Sequence, residues 1–331
     1  MNFVHFAAGK NDEGRRLDRI ARTILAEENL SGLYKALRSG LIKVNGKKQK
    51  GEYRVSAGDD ISAADFLVCA ENKNLQISES AQKSALHPLD KKLVILRTPD
   101  IIFINKPYDM NVQKSSASDT ALNVLVQEDF DFQASQKTEK SLAFKTGPLH
   151  RLDRQTTGLI AFSQSLRGAQ WFSKIIQEHK IVKTYLAIVE GRLEKKEIWT
   201  DKISKNDVGK SAFHTVSVNS SEEKSKETLT EAFPLGYGLY KGQSITLVKF
   251  IIHTGRTHQI RATSAAHGHP LSGDTAYGAK KINESQQLFL HAYSLELPEN
   301  SLNIPRKIVC KPGENFVSIL KTALIKWPDE L

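Results

Sequence analysis

An α+β fold in two domains is the architecture this chain predicts, on three observations. Its 331 residues exceed a typical single domain and allow a sizeable core. Apolar residues near the N-terminus (Leu17, Ile20, Ile24, Leu25, Leu33, Leu37) recur at helical spacing, whereas beyond residue 90 the apolar segments are short and strand-like. Between the two regimes, residues 71–90 are polar and without sustained periodicity, as in a linker. The expected division is a small α+β domain at 1–70, a linker at 71–90 and the main domain at 91–331.

In the small domain the helical period is interrupted near residues 29–32 by turn-forming types, which predicts two short helices. Ile42-Lys43-Val44-Asn45-Gly46-Lys47-Lys48 then alternates and carries Asn-Gly, a strong hairpin signal. Ala57-Gly58-Asp59-Asp60-Ile61 reads as a turn into a last strand. Residues 35–54 hold seven lysines and arginines against one acid, Glu52. Such a run is commonly just a solvated face, but on a compact helix-hairpin unit it points to RNA contact through Lys35, Arg38, Lys43, Lys47 and Lys48.

In the main domain, strands are predicted at 93–96, 101–105, 159–162, 185–189 and 245–252. In the last, Ile245, Leu247 and Ile251 lie on one alternating set and Val248, Phe250 and Ile252 on the other, so both faces are apolar and the strand is central. Trp171, Phe172, Ile175 and Ile176 share one stripe of a helix over 167–180 and read as core, with His179 at the helix end. Residues 206–226, charged and serine-rich, read as a surface insertion.

Lysine and arginine outnumber aspartate and glutamate by 47 to 37, a formal charge of +10, which favours a polyanionic partner, nucleic acid first. No apolar run approaches the roughly 18 residues that span a bilayer, so no membrane association is expected. Cys69 and Cys310 are too few and too isolated for a zinc ribbon or a disulfide framework. The first ten residues lack the pattern of a secretion signal, and a cytoplasmic address is expected. Gly209-Lys210-Ser211 falls short of a phosphate-binding loop, because the position five before Gly209 is Ser204.

The run His150-Arg151-Leu152-Asp153-Arg154-Gln155-Thr156-Thr157-Gly158-Leu159-Ile160 places four ionisable side chains in five positions and then turns apolar. Flanking cations keep a carboxylate ionised, and a charged cluster at the mouth of a core strand is a candidate for chemistry, although a solvated loop has the same look. Thr254-Gly255-Arg256-Thr257-His258-Gln259-Ile260-Arg261 follows the central strand and opens a helix whose N-terminal amides can receive an anion. His258 and Arg261, three apart, share a helix face, so Arg261 can reach Asp153 or an RNA phosphate. Lys183-Thr184-Tyr185 puts a tyrosine at the entrance of another strand.

These elements resemble the RluA-type family of RNA pseudouridine synthases. Asn105-Lys106-Pro107, His269-Pro270, Gly273-Asp274 and Leu290-His291-Ala292 occur with them in the family's order. Leu17-Asp18, Lys35, Leu37, Gly40, Val44-Asn45-Gly46 and Ala57-Gly58-Asp59 are similar to the alpha-L RNA-binding motif. Several weak motifs agreeing in order make a specific signal. The resemblance implies the pseudouridine synthase fold, a mixed and largely antiparallel sheet. It implies isomerisation of specific uridines in structured RNA by an enzyme that needs no cofactor or metal and works as a monomer. Asp153 would be the catalytic carboxylate, paired with Arg261; whether it attacks the sugar or the base, or assists elimination, stays open. Tyr185 would stack on the target base and help remove a proton. Arg151 would fill the gap left by the extruded base, and His150, Arg154, Arg256 and His258 would contact RNA.

Two positions depart from the family's pattern. Thr157 stands where serine is common, and Tyr108-Asp109-Met110 where a small residue and glycine are usual, which predicts a stiffer or reshaped loop. Large-subunit ribosomal RNA is the substrate expected first, with transfer RNA as the alternative. A noncatalytic RNA-binding or ribosome-assembly protein of the same fold is the alternative from another class. The histidines 253, 258, 267 and 269 are better explained by the synthase motif than by a metal.

Overall fold

A three-stranded antiparallel sheet and a ten-stranded mixed sheet organise the chain. The computed structural model describes residues 1–25, 29–68, 89–116, 119–137, 141–205, 215–218, 225–280 and 287–328. Cys69, most of the expected linker, Gly209-Lys210-Ser211 and most of the 206–226 segment lie outside the described residues. Packing divides the chain into two units. One comprises Met1–Leu89, Val124–Gly147 and Ser163–Gln170, the other Asp90–Asn123, Pro148–Phe162 and Trp171–Leu331.

In the first unit, β1 (Phe3–Ala7), β2 (Ile42–Val44) and β3 (Asp60–Ala64) form the small sheet in the order β1-β3-β2. The two predicted helices are α1 (Leu17–Ile24) and α2 (Leu30–Ser39). The second begins earlier than the turn-forming residues suggest: Asn29 accepts a 2.7 Å hydrogen bond from the Gly32 amide and caps the helix, which runs through Gly32. Asn45 and Gly46 both have positive φ (50° and 76°), as a tight hairpin turn requires. The strand that β2 then pairs with is β3, however, and only the Val44–Lys47 bridge closes the turn itself. The Asn45 side chain spans the gap, donating to Asp59 and accepting from the Asp60 amide.

Leu17, Ile20, Leu33, Leu37, Ile42 and Ile61 form the core of this unit, with Leu142 and Ala143 packed against it. The fully buried Asp12 explains that docking. Its carboxylate accepts from the Gly9, Leu142 and Ala143 amides and the Ser141 hydroxyl, while Arg15 donates to the Ala143 carbonyl. Compact packing therefore cuts the chain differently from the sequence division at 70 and 90. Lys35, Arg38, Lys47 and Lys48 are exposed, and Lys43 lies over the Phe3 ring at 4.7 Å.

In the second unit the large sheet runs β4-β5-β6-β12-β7-β11-β10-β8-β9, with β13 beside β12. Its strands are β4 (Val94–Arg97), β5 (Ile101–Lys106), β6 (Thr157–Ser163), β7 (Val182–Glu190) and β8 (Glu197–Lys205), then β9 (Val216–Val218), β10 (Lys226–Tyr240), β11 (Gln243–Ile252), β12 (Leu290–Glu296) and β13 (Lys307–Val309). The β6–β12 pair is parallel and the ladders of β12–β7, β7–β11, β11–β10 and β10–β8 are antiparallel, so the sheet is mixed and largely antiparallel, as the resemblance implies. β11 lies between β7 and β10, in the interior position its two apolar faces predict. The predicted insertion contributes β9, which pairs with β8 at the edge of the sheet.

Among the described residues four further helices follow the first two: α3 (Leu122–Lys137), α4 (Leu166–Gln177), α5 (Gln259–Ala266) and α6 (Glu314–Thr322). On α4, Phe172 and Ile175 are buried, and His179, at φ 53°, turns the chain after the helix.

Candidate active site

The charged run enters the large sheet through a turn in which the Thr156 amide donates to the Asp153 carbonyl at 3.0 Å. Immediately beyond, Gly158 has φ 103°, and a Cβ there would collide with the Ala292 carbonyl oxygen. Only glycine lets β6 come this close to β12. Thr157 fixes the same seam. The His291 ring nitrogen Nε2 can only donate to the Cys310 carbonyl (2.9 Å), so Nδ1 accepts from the Thr157 hydroxyl at 2.8 Å. Burial pushes His291 down to about 4, which keeps the ring neutral for this role. The threonine thus retains the hydroxyl function that a serine would have.

Lys106 holds the turn from behind. Its fully buried ammonium donates to the carbonyls of Pro107, Met110 and Arg154 at 2.8–2.9 Å, tying the 107–110 loop to the residue after Asp153. Burial pushes Lys106 down to about 8, against the pull of Asp153 and Asp109. In that loop Asp109 has φ 57°, a left-handed conformation aspartate tolerates better than most residues, so the usual glycine's backbone freedom is not what the departure removes. The new carboxylate instead pairs with Arg154 at 2.9 Å. Arg154, expected to contact RNA, is therefore engaged by Asp109 in the protein alone.

Asp153 opens into a cavity of about 300 Å³ that Arg151, Lys183, Tyr185, Arg256, His258 and Arg261 also line. Small-ligand sites begin at roughly this size. The ion pair expected between Asp153 and Arg261 is not what forms. Asp274, itself buried, takes two edges of the Arg261 guanidinium, Nε and Nη2, each at 2.7 Å. Such a two-pronged pair is geometrically complete. The remaining nitrogen, Nη1, donates to His258 Nε2 at 3.1 Å, and that same Nε2 stands 3.8 Å from Asp153 Oδ2. His258 thus sits between the two groups that were expected to meet, and Arg261 acts on Asp153 through space.

A guanidinium only donates, so His258 Nε2 carries no proton and Nδ1 does, facing the Tyr277 hydroxyl at 3.0 Å. Burial pushes His258 down, opposed by Asp153, while Arg261 and Arg151 push it further down. Its backbone is left-handed (φ 55°) at the start of α5, a conformation that costs free energy and tends to persist at functional sites. Gln259 accepts from the Thr254 hydroxyl and the Arg256 amide, which fixes the loop before the helix.

Tyr185, buried on β7, forms one wall. Burial first and the Asp153 charge second raise its phenol well above the usual tyrosine range. It is therefore protonated at neutral pH and suited to stack or donate. The surroundings act against the proton-removing role the resemblance implies. His150, expected at the RNA interface, lines the same cavity and is held in place by the protein itself. It stacks on Phe172 (centroids 6.0 Å apart) and accepts from the Ala161 amide at 3.1 Å. Burial and then the nearby Lys183 charge push it down to about 3, so it offers RNA no cation. Arg151 and Arg256 are exposed, with no hydrogen bond or ion pair to either guanidinium among the described residues.

The other histidines that could suggest a metal each have a separate partner: His253 with Glu231, His267 with Asp201 and His269 with the Glu190 carbonyl. The sequence does not reveal the roles of Lys106, Asp274, Tyr277 and His291. Three of them stand there only as members of motifs, and Tyr277 belongs to none. Nothing in their local spacing says which distant group each one binds.

Two family profiles match the chain, RNA pseudouridylate synthase over residues 100–266 and S4 domain over residues 15–61. It is 25% identical over 317 residues to "Ribosomal large subunit pseudouridine synthase C" of Vibrio vulnificus, covering 93% of each protein. It is 27% identical to the protein of the same name in Rickettsia typhi, covering 89% of this chain and 93% of that one. Among solved structures, "Human RNA Pseudouridylate Synthase Domain Containing 1" superimposes with a TM-score of 0.53 at 25% identity, over 68% of this chain and 85% of that one.

Proposed function

The chain belongs to the RNA pseudouridylate synthase family, and from that premise we propose that it converts uridines of large-subunit ribosomal RNA to pseudouridine with Asp153 as the catalytic carboxylate. One observation carries the assignment to Asp153. It is a carboxylate at the cavity with no hydrogen bond to its side chain among the described residues, and the group facing it at 3.8 Å is the unprotonated nitrogen of His258. The names of the relatives from Vibrio vulnificus and Rickettsia typhi support ribosomal RNA.

The reaction breaks the bond between uracil N1 and the sugar, turns the freed base and joins C5 to the same sugar carbon. The proton on C5 leaves and N1 regains one, so no electrons are exchanged. The target base leaves its stack first, at a cost of a few kcal/mol. Exposed Arg151 stands next to Asp153 and can occupy the gap. An ionised Asp153 serves each route, as a nucleophile or as a stabiliser or proton acceptor at the sugar. Arg261 lies within electrostatic reach of Asp153, while Tyr185 presents a flat wall against the base.

Tyr185→Phe retains the wall and should keep turnover close to that of the parent, whereas Tyr185→Ala should lose roughly 5- to 150-fold, since base-aromatic stacking is worth ~1–3 kcal/mol. Equal losses in the two variants, measured as pseudouridine formed per enzyme, would show that the hydroxyl does the work. Residues 1–70, which contain the S4 domain, are proposed to supply affinity through the exposed basic face, with 91–331 catalytic. Changing Lys35, Arg38, Lys43, Lys47 and Lys48 to glutamine should reduce the salt slope of RNA binding by roughly 0.7–0.9 for each phosphate no longer neutralised. A slope that does not change would move the binding surface to the other unit.

Pseudouridine mapping by chemical reactivity in total RNA, with and without the gene, tests the substrate. Sites should vanish from large-subunit ribosomal RNA. Loss confined to transfer RNA would overturn the substrate and leave the reaction standing.

A further inference from the structure

A second cavity, of about 220 Å³, adjoins the first and shares Lys183, Gly255 and Arg256 with it. No aspartate or glutamate is among its lining residues. His253, which also lines it, is already paired with Glu231 at 2.8 Å and offers no free cation. Besides His179, at the end of α4, what remains is the pair Lys183 and Arg256, neither of which has a hydrogen bond or ion pair to its charged group among the described residues.

The position of Lys183 is the informative part. It sits near the start of β7, two residues before Tyr185, and is half-buried. A Cβ placed on Gly255 would stand 3.4 Å from its Nζ, which puts the ammonium beside Gly255, a residue that both cavities share. Burial lowers the Lys183 pKa with no carboxylate opposing it. A partly desolvated ammonium with no anion is unfavourable unless a ligand supplies the missing charge. Arg256, the residue after Gly255, brings a second and exposed cation to the same partition. Two cations facing a polar cavity beside a base-sized one match a nucleotide, with its base in the first cavity and its phosphate at the boundary.

We propose that Lys183 and Arg256 form a phosphate subsite that holds a phosphodiester adjoining the uridine bound over Asp153. This rests on the reading of the first cavity as the uridine site. The subsite would let the RNA backbone be gripped beside the extruded nucleotide, so that phosphate binding energy holds the base against its tendency to restack.

The test compares binding of uridine, uridine 5′-monophosphate and uridine 3′-monophosphate to the full-length protein by NMR titration, in the parent, Lys183→Gln, Arg256→Gln and the double variant. The parent should bind one of the monophosphates at least about tenfold more tightly than uridine. Each single substitution should shrink that advantage and the double variant should abolish it, while Lys183→Arg retains most of it. A parent that binds uridine and both monophosphates equally, or a double variant that keeps the full preference, overturns the proposal. If Lys183→Gln does not fold, Arg256→Gln decides alone, because that side chain is exposed. Pseudouridine formation on unmodified large-subunit ribosomal RNA transcript is assayed separately. A parent that prefers the monophosphate yet forms no pseudouridine leaves the subsite standing and removes the proposed substrate, whereas turnover without the preference does the reverse.

Discussion

Asp153→Asn is expected to lower pseudouridine formation at least about a thousandfold, ~4 kcal/mol of transition-state stabilisation, while melting temperature and RNA affinity stay near those of the parent. The asparagine has nearly the same shape. The substitution breaks no hydrogen bond to the Asp153 side chain among the described residues, because His258 stands at 3.8 Å with its unprotonated nitrogen toward the carboxylate. The turn depends on hydrogen bonds from the Thr156 amide and the Lys106 ammonium to backbone carbonyls, and the substitution removes neither. Purified variant assayed on unmodified ribosomal RNA, with melting followed by circular dichroism, checks both halves. Substantial turnover by a well-folded variant would remove Asp153 from the chemistry.

Arg261→Ala should be the most disruptive change at the site. Arg261 and Asp274 are both buried, and breaking such a pair by removing one partner costs about 3–5 kcal/mol, since it strands the other charge away from water. His258 would also lose the donor that fixes its tautomer. Two effects are thereby mixed, scaffold and chemistry, and a second variant separates them. Replacing both partners, Arg261→Leu with Asp274→Leu, leaves no stranded charge and should restore much of the melting temperature. Turnover should remain lost, because the positive charge within reach of Asp153 and the donor that fixes His258 are both gone. Recovery of turnover along with stability would reduce Arg261 to a structural role.

The parts legible in the sequence are those decided by neighbours in the chain. The two apolar faces of β11, the two short helices and the run around Asp153 all follow from local period and residue type. What escapes depends on long-range partners. Arg261 has two carboxylates within its electrostatic reach, and nothing in the sequence says that the one 13 residues later, Asp274, takes its bidentate edge. His150 is by its type a possible cation, but burial against Phe172 and the nearby Lys183 charge make it neutral. Asn45-Gly46 announces the turn correctly and does not say that the paired strand starts only at Asp60. Asp109 illustrates a third limit: a departure from a family's glycine suggests a reshaped loop, yet aspartate adopts the same left-handed backbone and adds an ion pair.

The four hydrogen bonds that converge on Asp12 bear on how this protein could be taken apart. A chimera that exchanged only residues 1–70 would strand the amides of Leu142 and Ala143 and leave their side chains without the surface they pack against. The transplantable module is discontinuous: it must carry the strip around residue 142 with it, or supply an aspartate in the same place. Shuffling of such modules between proteins is then constrained by one buried side chain as much as by where the chain is cut, and a graft that respects it should express where a simple cut does not.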